Sequence, residues 1–185
     1  MGTPKALLRH PRDGRTFVAH TISTLDSGGV AEVAVVGRPD DVELRDEVSR
    51  SSEAAFLENP SSELGQLSSV LVGIDYVERR GADAVMMLPV DIPLIRAATV
   101  RALLDAFEAG GQPLARAVHR GRHGHPVIVA ALLFPELRAA DPSLGARVVL
   151  RRDPSRVRDV EVDDPGVLRD FDVPDDYRRL LDGQS

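Results

Sequence analysis

Two hydrophobic periods alternate along the chain. Short continuous apolar runs are separated by segments whose apolar residues recur every three or four positions. The runs predict buried strands and the spaced segments predict helices. The clearest run covers residues 84–90 (A-V-M-M-L-P-V), seven uncharged residues that end at Asp91. It reads as a strand buried on both faces. Pro89 has no N–H to give to a ladder, so the strand is expected to stop near Leu88. Asp91 then falls just past the carboxyl end of a central strand. In open α/β sheets, ligands bind along that edge.

The same reading orders the rest of the chain. After a loop over residues 1–14, Thr16 caps a helix over 16–25 with Phe17, Ile22 and Leu25 facing inward. A strand over 32–36, a weaker helix over 41–50 and a strand over 54–59, stopped by Pro60, come next. A loop leads into a helix over 67–79 that places Val70, Leu71, Ile74 and Val77 on one side. Past Asp91, a helix begins at Ala98-Thr99 and ends at Gly110-Gly111. Strands over 114–120 and 125–132 are joined by a tight connection over 119–124, which makes them antiparallel neighbours. Short helices over 133–139 and 144–152, a strand over 156–162 and an extended piece over 167–172 follow. Pro174 opens a last helix that reaches Leu181. This alternation predicts one α/β domain over residues 1–185, its sheet mostly parallel with one antiparallel strand.

Composition narrows the chemistry. The 185 residues contain no cysteine, which excludes disulfides, thiolate nucleophiles and cysteine zinc sites. A formal net charge of −6 argues against a nucleic-acid partner. No apolar run approaches the roughly 20 residues of a membrane span, and no basic-then-apolar leader opens the chain, so a cytoplasmic protein is expected. There is one lysine, Lys5, against 22 arginines. A lysine kept in so arginine-biased a chain suggests a need for a compact ammonium on a flexible stem.

On residue type alone, Asp91 is either a cation ligand or the cap of the following helix. Asp170 and Asp172 alternate on one side of an extended piece, and Asp172 also suits the cap of the last helix. Two carboxylates from separate strand ends are what a hard divalent ion bound to a triphosphate requires. Gly65-Gln66-Leu67-Ser68-Ser69 opens a helix, where amides and hydroxyls suit a ribose or phosphate, or simple capping. His119, His123 and His125 lie on one hairpin without cysteine support, which disfavours a zinc site. Arg116, Arg120 and Arg122 read as a solvated turn.

Taken together, these segments resemble the MobA-like NTP transferases, most closely the molybdenum cofactor cytidylyltransferase branch. Met1-Gly2-Thr3-Pro4-Lys5 matches the tail of that family's opening signature. Asn59-Pro60 with Gly65-Gln66-Leu67-Ser68-Ser69 looks like its nucleotide loop, and Val90-Asp91-Ile92-Pro93-Leu94 like its metal motif. Gly124-His125-Pro126 and Asp170-Phe171-Asp172-Val173-Pro174 complete the series. The resemblance implies a Rossmann-like nucleotidyltransferase fold. It implies transfer of NMP from an NTP, CTP favoured over GTP, to a phosphorylated acceptor, molybdopterin first, with release of pyrophosphate. Mg²⁺ would be held by Asp91 and Asp172. Lys5 would contact phosphates as a catalytic residue beside Asp91. Asn59, Gly65, Gln66, Ser68 and Ser69 would bind the nucleotide, and His125 the acceptor. A molybdoenzyme or accessory protein is the expected macromolecular contact. Alternatives of the same fold act on a sugar phosphate or phospholactate, and a non-catalytic nucleotide-binding accessory protein is a third reading.

The family's first strand and Gly-rich loop have no counterpart after Met1. The resemblance implies either a natural protein roughly 15–20 residues longer, about one strand and its loop, or a truncated and inactive member. The present chain is then expected to be less stable and less active than the extended one, because the strands flanking the gap keep unpaired backbone groups.

Overall fold

The computed structural model describes residues 4–51, 54–142 and 144–171. Asp172 and the helix expected from Pro174 lie outside them. The elements are α1 (Phe17–Gly28), β1 (Ala34–Gly37), α2 (Val42–Ser51), β2 (Ala55–Glu58), α3 (Gln66–Arg79), β3 (Ala84–Met87), α4 (Ala97–Glu108), β4 (Leu114–His119), β5 (Arg122–Ala130), α5 (Phe134–Arg138), α6 (Arg147–Arg151) and β6 (Val157–Glu161). Single 3-10 turns cover Lys5–Leu7 and Pro165–Leu168, among others.

β1 and β2 pair in parallel, and a four-stranded sheet runs β3-β5-β4-β6. β5 is antiparallel to both β3 and β4, while β4 and β6 are parallel. The single antiparallel strand expected from the short connection is therefore β5. Two residues, Arg120 and Gly121, turn the hairpin with φ of 51° and 73°. That pair of positive φ values matches the twist of the flanking strands, so β5 begins at Arg122, ahead of the start expected at 125, and β4 ends at His119.

Side-chain alternation decides what covers each face. Val127 and Val129 of β5 join Leu114 of β4, Ile74 of α3, and Phe134 and Leu137 of α5 in one cluster. Ile128 joins Ala115, Ala117, and Val100 and Leu103 of α4 in another. The sheet is thus sandwiched between α4 on one side and α3 with α5 on the other. A third cluster sets Val18 and Ile22 of α1 and Val48 of α2 against Ala6 and Val33. α3 also touches β1 and β2, so it spans both sheet pieces.

Two expectations are corrected. β3 is half-buried along its whole length, as is β1, rather than buried on both faces. Among the described residues β3 pairs only with β5 and β1 only with β2, which leaves one edge of each without a ladder partner. Residues 167–172 do not begin as an extended piece. Asp164 caps a 3-10 turn, its carboxylate accepting from the Gly166 amide, with Pro165 at the first position. Proline's fixed φ favours such a helical start.

That turn crosses the sheet at close quarters. A Cβ on Gly124 would come within 2.2 Å of the Val167 carbonyl oxygen, and one on Gly166 within 2.4 Å of the Leu94 carbonyl oxygen. Two bare backbones are needed there, and they let the chain run from β6 back to the segment after β3.

Candidate active site

Asp91 sits in a turn beyond the carboxyl end of β3, closed by a hydrogen bond from the Ile92 amide to the Pro89 carbonyl. The apolar run supplies a strand only as far as Met87, and the prolines force the chain out of the ladder. The turn is anchored below by Ile92, Leu94 and Ile95, all buried. Three separate parts of the chain converge on it. Lys5, on the 3-10 turn after Pro4, places Nζ 3.6 Å from Asp91 Oδ2. The side chains are 32% and 27% exposed, so the pair faces solvent with an accessible carboxylate. The Phe171 amide donates to the Asp91 carbonyl at 3.0 Å, which ties the end of the described chain to the same turn. His125, on β5 beside β3, is hydrogen-bonded to the Met87 backbone and feels the charge of Asp91. Burial pushes its pKa down from the usual imidazole value, against both of those contacts. Nδ1 of His125 is buried with no hydrogen-bond partner among the described residues.

Lys5 and Asp91 thus meet, and His125 stands on the neighbouring strand within reach of the Asp91 charge. The sequence-nominated partner Asp172 lies outside the described residues, directly after Phe171.

The loop after β2 forms a second group. Asn59 is 1% exposed, and its Nδ2 donates to Ser68 Oγ at 2.8 Å and Ser69 Oγ at 2.9 Å. Its Oδ1 accepts from the Ser61 amide at 3.0 Å, and its own amide donates to the Gly37 carbonyl at 2.7 Å. Asn59 is therefore fully engaged inside the protein, pinning the end of β2 to the first turn of α3. The surface this offers a ligand is the start of α3, where Gly65 and Gln66 are exposed and no side chain caps the helix. Free amides and the positive end of a helix dipole favour an anion there. Asn59→Ala should remove three side-chain hydrogen bonds at once and leave the Ser61 amide without its acceptor, while the backbone bond to Gly37 stays. The expected cost is about 1–3 kcal/mol in urea unfolding, with a raised KM for nucleotide. Unchanged stability would show that the amide network is dispensable.

The remaining sequence candidates are dispersed. Nδ1 of His119 bonds the Val162 carbonyl oxygen at 2.8 Å, and His123 stands 3.4 Å from Asp159. With His125 turned toward Met87, the three histidines form no metal cluster. Arg116 is spent on Asp159, with Nε 2.6 Å from Oδ1. Two groups went unread in the sequence. Asp164 is buried and bound to the start of α4, and His10, Asp13 and His20 come together at the start of α1. The spacing His-x2-Asp-x6-His was the available signal for the latter.

The profile of the MobA-like NTP transferase domain matches residues 1–158. A phosphoenolpyruvate guanylyltransferase from Sphaerobacter thermophilus is 29% identical over 180 residues, covering 92% of this chain and 81% of that protein. A bifunctional protein GlmU from Rhodopseudomonas palustris is 31% identical over 150 residues, or 81% of this chain, and the match spans 28% of that longer relative. Among solved structures, Rv0371c from Mycobacterium tuberculosis in complex with manganese aligns with a TM-score of 0.76 at 25% identity, covering 98% of this chain and 93% of that one. The chain belongs to the MobA-like NTP transferase family and is a nucleotidyltransferase domain.

Proposed function

We propose that this domain transfers a nucleotidyl group from an NTP to a phosphorylated small-molecule acceptor at the Asp91 turn, with release of pyrophosphate. The observation that carries this reading is the meeting of Lys5 and Asp91 at 3.6 Å beside a strand's carboxyl end. An accessible carboxylate next to an ammonium suits a polyanionic ligand that arrives with a cation. The oxygen donors of Asp91, with Asp172 as the proposed second ligand, fit Mg²⁺ or Mn²⁺. Such an ion neutralises charge that develops between the α-phosphate and the leaving pyrophosphate. The manganese complex of Rv0371c supports a divalent ion in this fold.

Within the chain, Lys5 supplies a mobile positive charge for phosphate oxygens. Its present partner Asp91 keeps it at the site before substrate arrives. The start of α3 offers amides for phosphate or ribose. His125 borders the Asp91 turn from β5 and would contact the acceptor. Little bond-making falls to side chains, so positioning and charge supply the rate.

For the acceptor, the motif order favours molybdopterin with CTP or GTP. A second reading is favoured by a specific observation: the phosphoenolpyruvate guanylyltransferase matches 92% of this chain. That supports GTP and a small phosphorylated carboxylic acid such as phospholactate or phosphoenolpyruvate. Pyrophosphate release with each NTP against each acceptor separates the two. Turnover with CTP and molybdopterin alone supports the first reading. Turnover with GTP and a phosphorylated acid replaces it. Release with no acceptor or NTP pair would overturn the transferase assignment of the site.

A further inference from the structure

The loop before α1 holds a cluster that the Asp91 chemistry does not use. The His10 and His20 rings stack with centroids 3.7 Å apart and planes 4° from parallel. Asp13 lies against both, its Oδ2 2.8 Å from His20 Nδ1 and its Oδ1 3.7 Å from His10 Nδ1. One donor atom from each residue lies within 4.8 Å of the other two. Among the described residues this is the one such group of three.

We propose that His10, Asp13 and His20 form a binding site for a borderline first-row divalent cation of the zinc type, separate from the cation at Asp91. Two imidazoles and one carboxylate are the donor set such ions prefer, whereas Mg²⁺ prefers oxygen alone. Burial, with the nearby charges of His20 and Arg12, lowers the His10 pKa to about 4. At neutral pH its ring is the uncharged form that a metal requires. His10 is 1% exposed, and its Nε2 is buried with no hydrogen-bond partner among the described residues. Packing alone would be served better there by an apolar ring, since an orphaned buried donor is costly. Entry is open from the other side. The side chains of Asp13 and His20 are 31% and 19% exposed, and Asp13 lines a shallow hollow of about 400 Å³ with Arg15 and Glu47. Asp91 does not border that hollow.

Binding requires some rearrangement. Ligands at about 2.0–2.1 Å around a tetrahedral ion stand about 3.4 Å apart, so His10 must close on Asp13, while His20 Nδ1, now 2.8 Å from Asp13, must move apart from it and give up the proton they share. The parallel rings must also tilt, because their in-plane lone pairs do not converge while stacked. Arg15, with Nε 3.8 Å from Asp13 Oδ2, must give way, and the Arg12 amide, 3.3 Å from His10 Nδ1, must release that nitrogen if it is the one used. Glu47 lines the same hollow and would supply an oxygen as the fourth donor after yielding its bonds to Thr16 and Arg50. The bound ion would staple the loop to the first turns of α1. Behind it, Phe17 packs against both His10 and Phe171, and Phe171 is bonded to Asp91. The staple therefore stiffens the wall behind the nucleotidyl-transfer site without touching it.

The full chain, kept in excess Mg²⁺ to fill the Asp91 site, is titrated with Co²⁺ and followed by visible d–d absorption, then with Zn²⁺ by calorimetry. One equivalent is expected to bind. His20→Ala and Asp13→Asn should each weaken binding by more than about tenfold, while Asp91→Asn should bind as the parent does. Both altered residues are partly exposed, so the variants should fold, which their melting curves establish. On the parent protein, Zn²⁺ should shift the imidazole NMR signals of His10 and His20 together. No one-to-one uptake, equal binding by the variants, or unmoved imidazole signals would each overturn the site.

Discussion

Replacing Asp91 by alanine should reduce nucleotidyl transfer by at least 10²- to 10³-fold, the order seen when one strongly placed charge-stabilising group is lost. The fold should remain. The side chain is about one-quarter exposed and its structural tie, the bond from the Phe171 amide, uses the backbone carbonyl. A surface substitution of this kind changes stability by about 0.5 kcal/mol or less. Urea unfolding and pyrophosphate release, measured on the same preparation, separate the two effects. A simpler role for Asp91 is to hold Lys5 in place. In that case Asp91→Asn and Lys5→Met would cost the same, and the double variant no more than either. A cation ligand behaves differently. Asp91→Asn should cost more than Lys5→Met and should raise the Mg²⁺ or Mn²⁺ concentration needed for half-maximal rate. Lys5→Met should instead raise the KM for NTP without moving the cation dependence. Full activity in Asp91→Ala would sink the proposed site.

How much of this was legible in the sequence follows from the range of the interactions. Thr16 starts α1, and its Oγ1 does accept from the Ala19 amide, because a cap is decided within four residues. The hairpin and its single antiparallel strand were readable from the short connection over 119–124. Asp91 was readable from a run of apolar residues and two prolines. Its meeting with Lys5, across 86 positions of chain, followed from the family resemblance rather than from any local signal. The half-buried state of β3 was not readable, since periodicity reports what a strand's side chains prefer and not whether both its edges are paired. The extended piece expected over 167–172 begins instead inside the 3-10 turn Pro165–Leu168 for a related reason. Its course depends on Gly124 and Gly166 admitting two backbone crossings, which no local pattern announces. The clamp that Asn59 forms was not readable, because both hydroxyls it binds lie in the next element. Functional motifs in this chain include residues that hold the site's loops as well as residues that face the ligand.

Asp164 shows the same principle at its largest energetic scale. Helix α4 begins at Ala97 with Arg96 as its cap residue, and Arg96 offers no capping side chain. The cap comes instead from 68 positions away. Asp164 Oδ2 accepts from the Arg96 amide at 2.8 Å and from Thr99 Oγ1 at 2.6 Å, and Oδ1 accepts from the Gly166 amide at 3.0 Å. Asp164 is 2% exposed, so water cannot replace it readily. Its charge also lies at the positive end of the α4 dipole. Asp164→Ala removes one acceptor and leaves two amides and a hydroxyl unpaired in a buried place. The expected loss is about 3–5 kcal/mol, the range for breaking one side of a buried charged network. Asp164→Asn should cost nearly as much, since its NH₂ must face one of the donors. Thr99→Val, which drops a single bond, should cost about 1 kcal/mol. The double variant Asp164→Ala, Thr99→Val should fall short of the sum, because the hydroxyl is already unpartnered once the carboxylate is gone. Urea midpoints for the four proteins decide this. A shift in Asp164→Ala no larger than in Thr99→Val would mean that α4 is held by its apolar face alone. A large shift would mean that one carboxylate joins the helix after the Asp91 turn to the segment that returns to that turn, and so sets the distance between the two sides of the active site.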